Sequence, residues 1–250
     1  MAGHSKFKNI MHRKGAQDQR RAKIFTKIIR EVMVAVRSGL PDPKLNTRLR
    51  VAILNAKEVN MPKDKIENAI KKATSTDTKE SYEEVRYEGY GPHGTAFIVE
   101  GLTDCRNRTA GEVRSAFAKH GGALGETGSV SYMFNKIGLI FYPSRIATTD
   151  QMLNTALEAG ADDCQSVFDG YEIICKVDDF HAIKEHLEKK YEEAQSARIT
   201  WQPTIMVTLD LEAARKILKL IDILEDNDDV QSVVGNFIIP EEVLKKMEME

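Results

Sequence analysis

Residues 138–202 constrain the fold more than any other stretch, because strand and helix alternate there without a spare element. "GLIFYP" is an apolar run of strand length, and a helical pattern follows near 149–159. "DCQSVF" and "GYEIICKV" then form a strand pair, a second helix covers 180–192, and "SARITWQP" closes the unit. That βαββαβ order is ferredoxin-like. Before it come a strand in "GTAFIVEGL", a helix in "TAGEVRSAFAKHG" and a strand in "GSVSYMF"; after it, a strand in "TIMVTLD", a helix over 211–225 and a strand in "VQSVVGNF". With the middle removed, the flanks spell βαβ–βαβ. One ferredoxin-like domain inserted into another is the economical reading.

The first 80 residues follow a different period. From Gln17 to Arg37 the chain holds neither Pro nor Gly, and Gly39 with Pro41 supplies the stop,. At about 100° per residue, Phe25, Ile28, Ile29, Val32 and Val36 fall on one stripe. "NTRLRVAILNAKEVN" gathers Leu49, Ala52, Ile53 and Ala56, with Asn46 or Thr47 as cap, and "MPKDKIENAIKKA" gathers Ile66, Ala69, Ile70 and Ala73 behind Pro62,. "TSTDTKES" reads as a linker. The fold class is therefore α+β: an N-terminal helical domain followed by two ferredoxin-like α/β domains, one inserted into the other. The expected boundaries are 1–80 for the helical domain, 81–136 plus 204–240 for the split domain, and 137–203 for the inserted one.

Charge is divided along the same border. Residues 1–80 carry 19 Lys and Arg against eight acids, whereas residues 81–250 carry 17 against 30, inside a net charge of −2. A basic segment on an acidic body points to a polyanion partner. On the first helix Arg20, Lys23, Lys27 and Arg30 cluster opposite the apolar stripe, a row able to follow a phosphate backbone and release its counterions. Before it, "GHSKFKNIMHRKGAQDQ" reads as an arm that orders on a partner, with Phe7, Ile10 and Met11 pinning it and Lys6, Lys8, Arg13 and Lys14 outward. His4 and His12 on such an arm are phosphate contacts or bystanders, not an acid–base pair. Lys63, Lys65, Lys71 and Lys72 extend the basic surface. In "DCRNRT", Arg106 and Arg108 flank a helix start; a phosphate site and a capped loop with local ion pairs explain that loop equally well.

Catalytic signatures are missing. "EGYGPHG" satisfies G-x-G-x-x-G, but Pro92 sits inside it and a strand follows, which excludes a dinucleotide turn. Glu225, Asp226, Asp228 and Asp229 read as a solvated turn with the wrong spacing for calcium. His181 and His186 are poorly spaced to share a metal. Cys105, Cys164 and Cys175 are scattered and odd in number, which suits a reducing compartment and not a disulfide frame or zinc site. No apolar run reaches the ~20 residues of a membrane span, and no apolar core follows the basic N-terminus as a secretory signal requires. The expectation is a cytoplasmic monomer, not an enzyme, with no cofactor and no membrane partner.

Five blocks carry a resemblance: "AGHSKFKNIMHRK", "RLRVAILNAKEVNMPKDKIENAI", "YEGYGPHGTAFIVEGLTDCRNRT", "GGALGETGSVSYMF" and "DVQSVVGNF". From Ala2 to about Phe237 the chain resembles the YebC/PmpR family. Phe7 stands where that family usually has Trp, Leu40 and His93 where Gly is common, and Cys105 where Asn is common. The resemblance implies three domains and no catalytic residues. It implies a DNA-binding transcriptional regulator, with the alternative of a translation factor associated with the ribosome and its RNA. A ligand-sensing or protein-docking module is a third expectation for the acidic domains. No helix-turn-helix with a clear recognition helix is legible in the sequence. The expected nucleic-acid contacts are Lys6, Lys8, His12, Arg13, Lys14, Arg20, Lys23, Lys27, Arg30, Lys63, Lys65, Arg106 and Arg108.

Overall fold

The computed structural model describes residues 17–75 and 81–248, with side chains over 21–75 and 81–247. Among the described residues three helices come first: α1 (Gln17–Arg37), α2 (Thr47–Glu58) and α3 (Lys63–Thr74). Their stripes meet in one small core, with Val32, Met33 and Val36 of α1 against Leu49 and Ala52 of α2 and Ala69 and Ala73 of α3. Phe25 closes the other end over Ala56, Met61 and Ile66. Asn46 ties the first corner. Its Oδ1 accepts the Leu49 N–H at 3.0 Å and caps α2, while its Nδ2 donates to the carbonyls of Ala35 and Leu40 at 2.7 and 2.8 Å, satisfying the end of α1,. Gly39 is there because a Cβ would lie 2.7 Å from that Nδ2.

Two four-stranded antiparallel sheets follow. The first contains β1 (Glu83–Tyr90), β2 (Ala96–Thr103), the two-residue β3 (Ala123–Leu124) and β9 (Val230–Gly235), in the order β3-β1-β2-β9. The second contains β4 (Phe134–Pro143), β5 (Asp163–Ser166), β6 (Gly170–Lys176) and β7 (Ser196–Pro203), in the order β5-β6-β4-β7. With α5 (Thr149–Glu158) and α6 (Phe180–Lys190), the second is the ferredoxin-like unit expected of residues 138–202,. Phe134 pairs with Pro203, so the chain enters and leaves this unit at neighbouring positions.

The first sheet reaches the same neighbour order by another route. Its α4 (Arg106–Lys119) and α7 (Leu211–Asp226) cover the face bearing Phe97, Val99 and Val233. Its second central strand is β1, at the start of the domain. The expected strand "GSVSYMF" is instead a 3-10 turn at Ser131–Met133 running into β4. "TIMVTLD" shrinks to β8 (Val207–Thr208), paired in parallel with β10 (Phe237–Ile238) outside the main sheet. The C-terminal α8 (Glu241–Glu248) packs Leu244 against the same core. The unexpected strand β1 hides its signal in Glu88. This carboxylate is 1% exposed and accepts the backbone N–H groups of Val130 and Ser131 at 3.0 and 2.9 Å. Burial opposes its charge, but those backbone bonds outweigh burial and hold the carboxyl below its usual range,.

Side chains weld the three units together. Trp201 packs over Ala96, Ile98 and Val234 on the second face of the first sheet, donates its indole N–H to Glu100 at 3.0 Å, and has the cations of Arg86 and Lys136 each 5.4 Å from its ring centroid,. Helix α2 runs beside the edge strand β7, places Leu54 in the core of the second sheet, and pairs Arg50 with Glu185 and Lys57 with Glu193. That cover protects an edge that would otherwise offer unpaired backbone groups.

Asn46→Ala removes three hydrogen bonds at a buried corner shared by two helices. It should lower the unfolding free energy by about 2 kcal/mol, seen as an earlier urea midpoint with an unchanged m-value. An unchanged midpoint would show that water replaces the side chain freely.

Candidate nucleic-acid interface

Helix α7 ends with the wrong charge. Its last turn holds Glu225 and Asp226 and no basic residue, so carboxylates stand beside the free carbonyls and negative pole of the helix,. The cations it needs come from α1, some two hundred positions away in sequence. Lys23 donates to the Asp226 carbonyl at 3.1 Å and pairs with its carboxylate. Lys27 donates to the Glu225 carbonyl at 2.6 Å. Arg30 reaches the Asp228 carbonyl at 2.8 Å and the Asp229 carboxylate at 2.6 Å. The spacing of four and three that was expected to follow phosphates thus follows the acidic turn of the protein itself.

Asp229 is the pivot of this seam, and it is not solvated: it is 3% exposed. Besides Arg30, it accepts hydrogen bonds from Arg108, from the Thr109 hydroxyl at 2.6 Å and from the Thr103 hydroxyl at 3.1 Å. Its own carbonyl accepts the Leu102 N–H at 2.7 Å, and this approach requires Gly101, where a Cβ would lie 2.6 Å from that oxygen. Burial alone would raise the Asp229 carboxyl. The bonds from Arg108, Thr109 and Arg30 outweigh it and bring the pKa down to about 2,. Arg108 also pairs with Asp104, and Arg106 reaches Glu83 at 3.6 Å. In "DCRNRT" the structure therefore shows local ion pairs and an exposed arginine that reaches the buried Asp229 carboxylate.

A second group of cations faces away from this seam. Arg21 and Lys65 both lie over the Phe25 ring, at 5.4 and 5.1 Å from its centroid, and Arg21 donates to the Asn60 carbonyl at 3.3 Å,. Asn60 adopts a left-handed φ of 54° and turns the chain from α2 into α3. The connection Val59–Pro62 has four residues, the length of a helix-turn-helix corner,. On α3, Ile66, Ala69 and Ala73 point into the core, and Lys63, Lys65, Asn68, Lys71 and Lys72 are exposed along its outer face. Lys63 is 86% exposed and meets Glu67 at 3.4 Å. Lys6, Lys8, His12, Arg13 and Lys14 lie outside the described residues, as does the side chain of Arg20.

Two features escaped the sequence reading. Arg21 belongs with Phe25 by i,i+4 spacing, a signal that was present. The acids 225–229 belong with α1 by tertiary contact alone, and no local pattern announces that.

Two family models match the chain: the TACO1/YebC protein N-terminal domain over residues 5–76, and the TACO1/YebC second and third domain over residues 82–237. A crystal structure of a conserved hypothetical protein from Aquifex aeolicus is similar, with a TM-score of 0.83 and 46% sequence identity, covering 94% of this chain and 97% of that one.

Asp229→Ala leaves Arg30 and Arg108 facing each other without their shared counter-charge, and should remove about 3 kcal/mol of stability at neutral pH. In the wild type this stabilisation is complete above the ordinary aspartate range, near pH ~4. It is lost as pH falls through about 2, because a depressed carboxyl must take up a proton in the folded state,. Urea titrations across that window should show a steeper fall for the wild type than for Asp229→Asn. Parallel curves would remove Asp229 from its pivotal place.

Proposed function

The chain belongs to the TACO1/YebC family, and on that footing we propose that it is a non-enzymatic, nucleic-acid-binding regulator of gene expression. The observation that carries this reading is the outer face of α3, where four lysines stand exposed beside Arg21 on the domain whose net charge is positive. Exposed lysines neutralise phosphates and give binding its electrostatic, salt-dependent share. Asp229 and Glu88, two buried acids with depressed pKa, are each held by the protein's own groups, Asp229 by Arg30, Arg108 and two threonines and Glu88 by two backbone N–H groups and Arg86, which favours structural work over proton transfer.

Within this reading, DNA-binding transcriptional regulation comes first, supported by the four-residue corner between α2 and α3 and by Asn68 among lysines on the second helix, where a groove-reading helix carries its contacts,. Ribosomal or other structured RNA is the second reading. Arg21 is already engaged by Asn60 and Phe25, and lysines contact phosphates as point charges without the bidentate fork that reads a base edge,. Shape recognition of RNA through its backbone needs no such fork. Among the described residues no helix is long and apolar enough to cross a membrane. Action in the cytoplasm, as a monomer, is part of the proposal.

Lys63→Gln/Lys65→Gln should weaken binding to a 20-base-pair duplex, DNA or RNA, to a similar degree across sequences, and lower the slope of log K against log salt by about 2. An unchanged slope would remove α3 from the interface. Sedimentation of lysate with and without RNase separates the readings: RNase-sensitive migration with ribosomes selects the RNA one, and retention on duplex DNA by a protein that stays at the top selects the other.

A further inference from the structure

Resting on that reading, we propose that the acidic last turn of α7 is an internal competitor of nucleic acid, so that binding peels Lys23 and Lys27 away from Glu225 and Asp226. The turn offers these cations carbonyl and carboxylate oxygens in succession along one side of α1, as a phosphate backbone would. Each ammonium has one charge and three N–H donors to share, so the turn and a phosphate strand compete for it,.

The seam is graded along its length, which decides where it opens. At the Lys23 end the paired side chains are 37% and 68% exposed; at the Arg30 end they are 16% and 4% exposed. Exposed pairs are weak and screened by salt, whereas the buried pair is held by Arg108, Thr103 and Thr109 as well,. The outer contacts therefore release first, with Arg30 and Asp229 as the hinge. The released lysines lie on the helix that carries Arg21, on the side that faces the turn. The intact turn lowers the apparent affinity by the fraction of molecules whose seam is closed.

The test uses the full chain and fluorescent 20-base-pair DNA and RNA duplexes. Glu225→Gln/Asp226→Asn should tighten binding by about fivefold, the scale of one or two exposed pairs. In a Lys23→Gln/Lys27→Gln background the same change should have no effect, because there is no latch left to open. A gain that persists there would reduce the turn to a general repulsive charge and overturn the proposal, as would no gain at all. In the wild type, amides of residues 225–230 should exchange with deuterium faster when duplex is bound; unchanged or slower exchange overturns it independently. Binding without these effects overturns the latch alone. Failure of every form to bind either duplex overturns the nucleic-acid reading with it.

Discussion

The end of α7 against the side of α1 is the contact through which the helical domain and the split domain complete each other's charge. A helix that finishes in two acids is electrostatically incomplete, since its terminal carbonyls and its dipole both call for positive charge,. In this protein the missing charge is built into another domain. The consequence is mutual dependence: the basic helix is neutralised by the turn, and the turn is folded around the basic helix. Asp229 makes the dependence three-sided, because Thr103 and Thr109 bring the end of β2 and the start of α4 to the same carboxylate.

This changes the meaning of the charge asymmetry. A count over the two parts of the chain suggests a positive end waiting for a foreign polyanion. The structure divides that charge into cations that tie the helical domain to the others, such as Arg30, Lys57 and Arg48, and cations exposed on the outer face of α3. Arg48 is a clear member of the first class, bridging Glu31 of its own domain and Glu84 of the split one. Net charge governs long-range attraction, while the local partner decides what each cation does on contact.

The sequence was legible wherever neighbours in the chain are neighbours in space. Helices α1 to α3 were readable from their apolar stripes, and the inserted sheet from strand-length apolar runs. Strand β1 was not, because its inward positions include Glu88 and Gly89, and a buried glutamate is recognisable only once the backbone N–H groups of Val130 and Ser131 are known to meet it. "GSVSYMF" misled for the converse reason: Val130 and Met133 serve a turn that packs with Trp201, and only Phe134 joins a ladder. At the candidate site, lysines on exposed helix faces could be read directly. The pairing of Lys23, Lys27 and Arg30 with residues about two hundred positions away could not.

The pairing of Phe134 with Pro203 makes the inserted unit, in effect, a short bridge. Folded, it holds Met133 and Thr204 within one hydrogen bond of 2.8 Å; unfolded, it is a loop of about 70 residues. Closing such a loop costs roughly 4 kcal/mol of chain entropy. The split domain, whose last strand lies beyond the insertion, must bear that entropy whenever the insertion is unfolded. The order of events during synthesis follows. The inserted unit emerges complete before β9, and once folded it holds the two halves of its host within reach. A sequence interruption thus becomes a folding template.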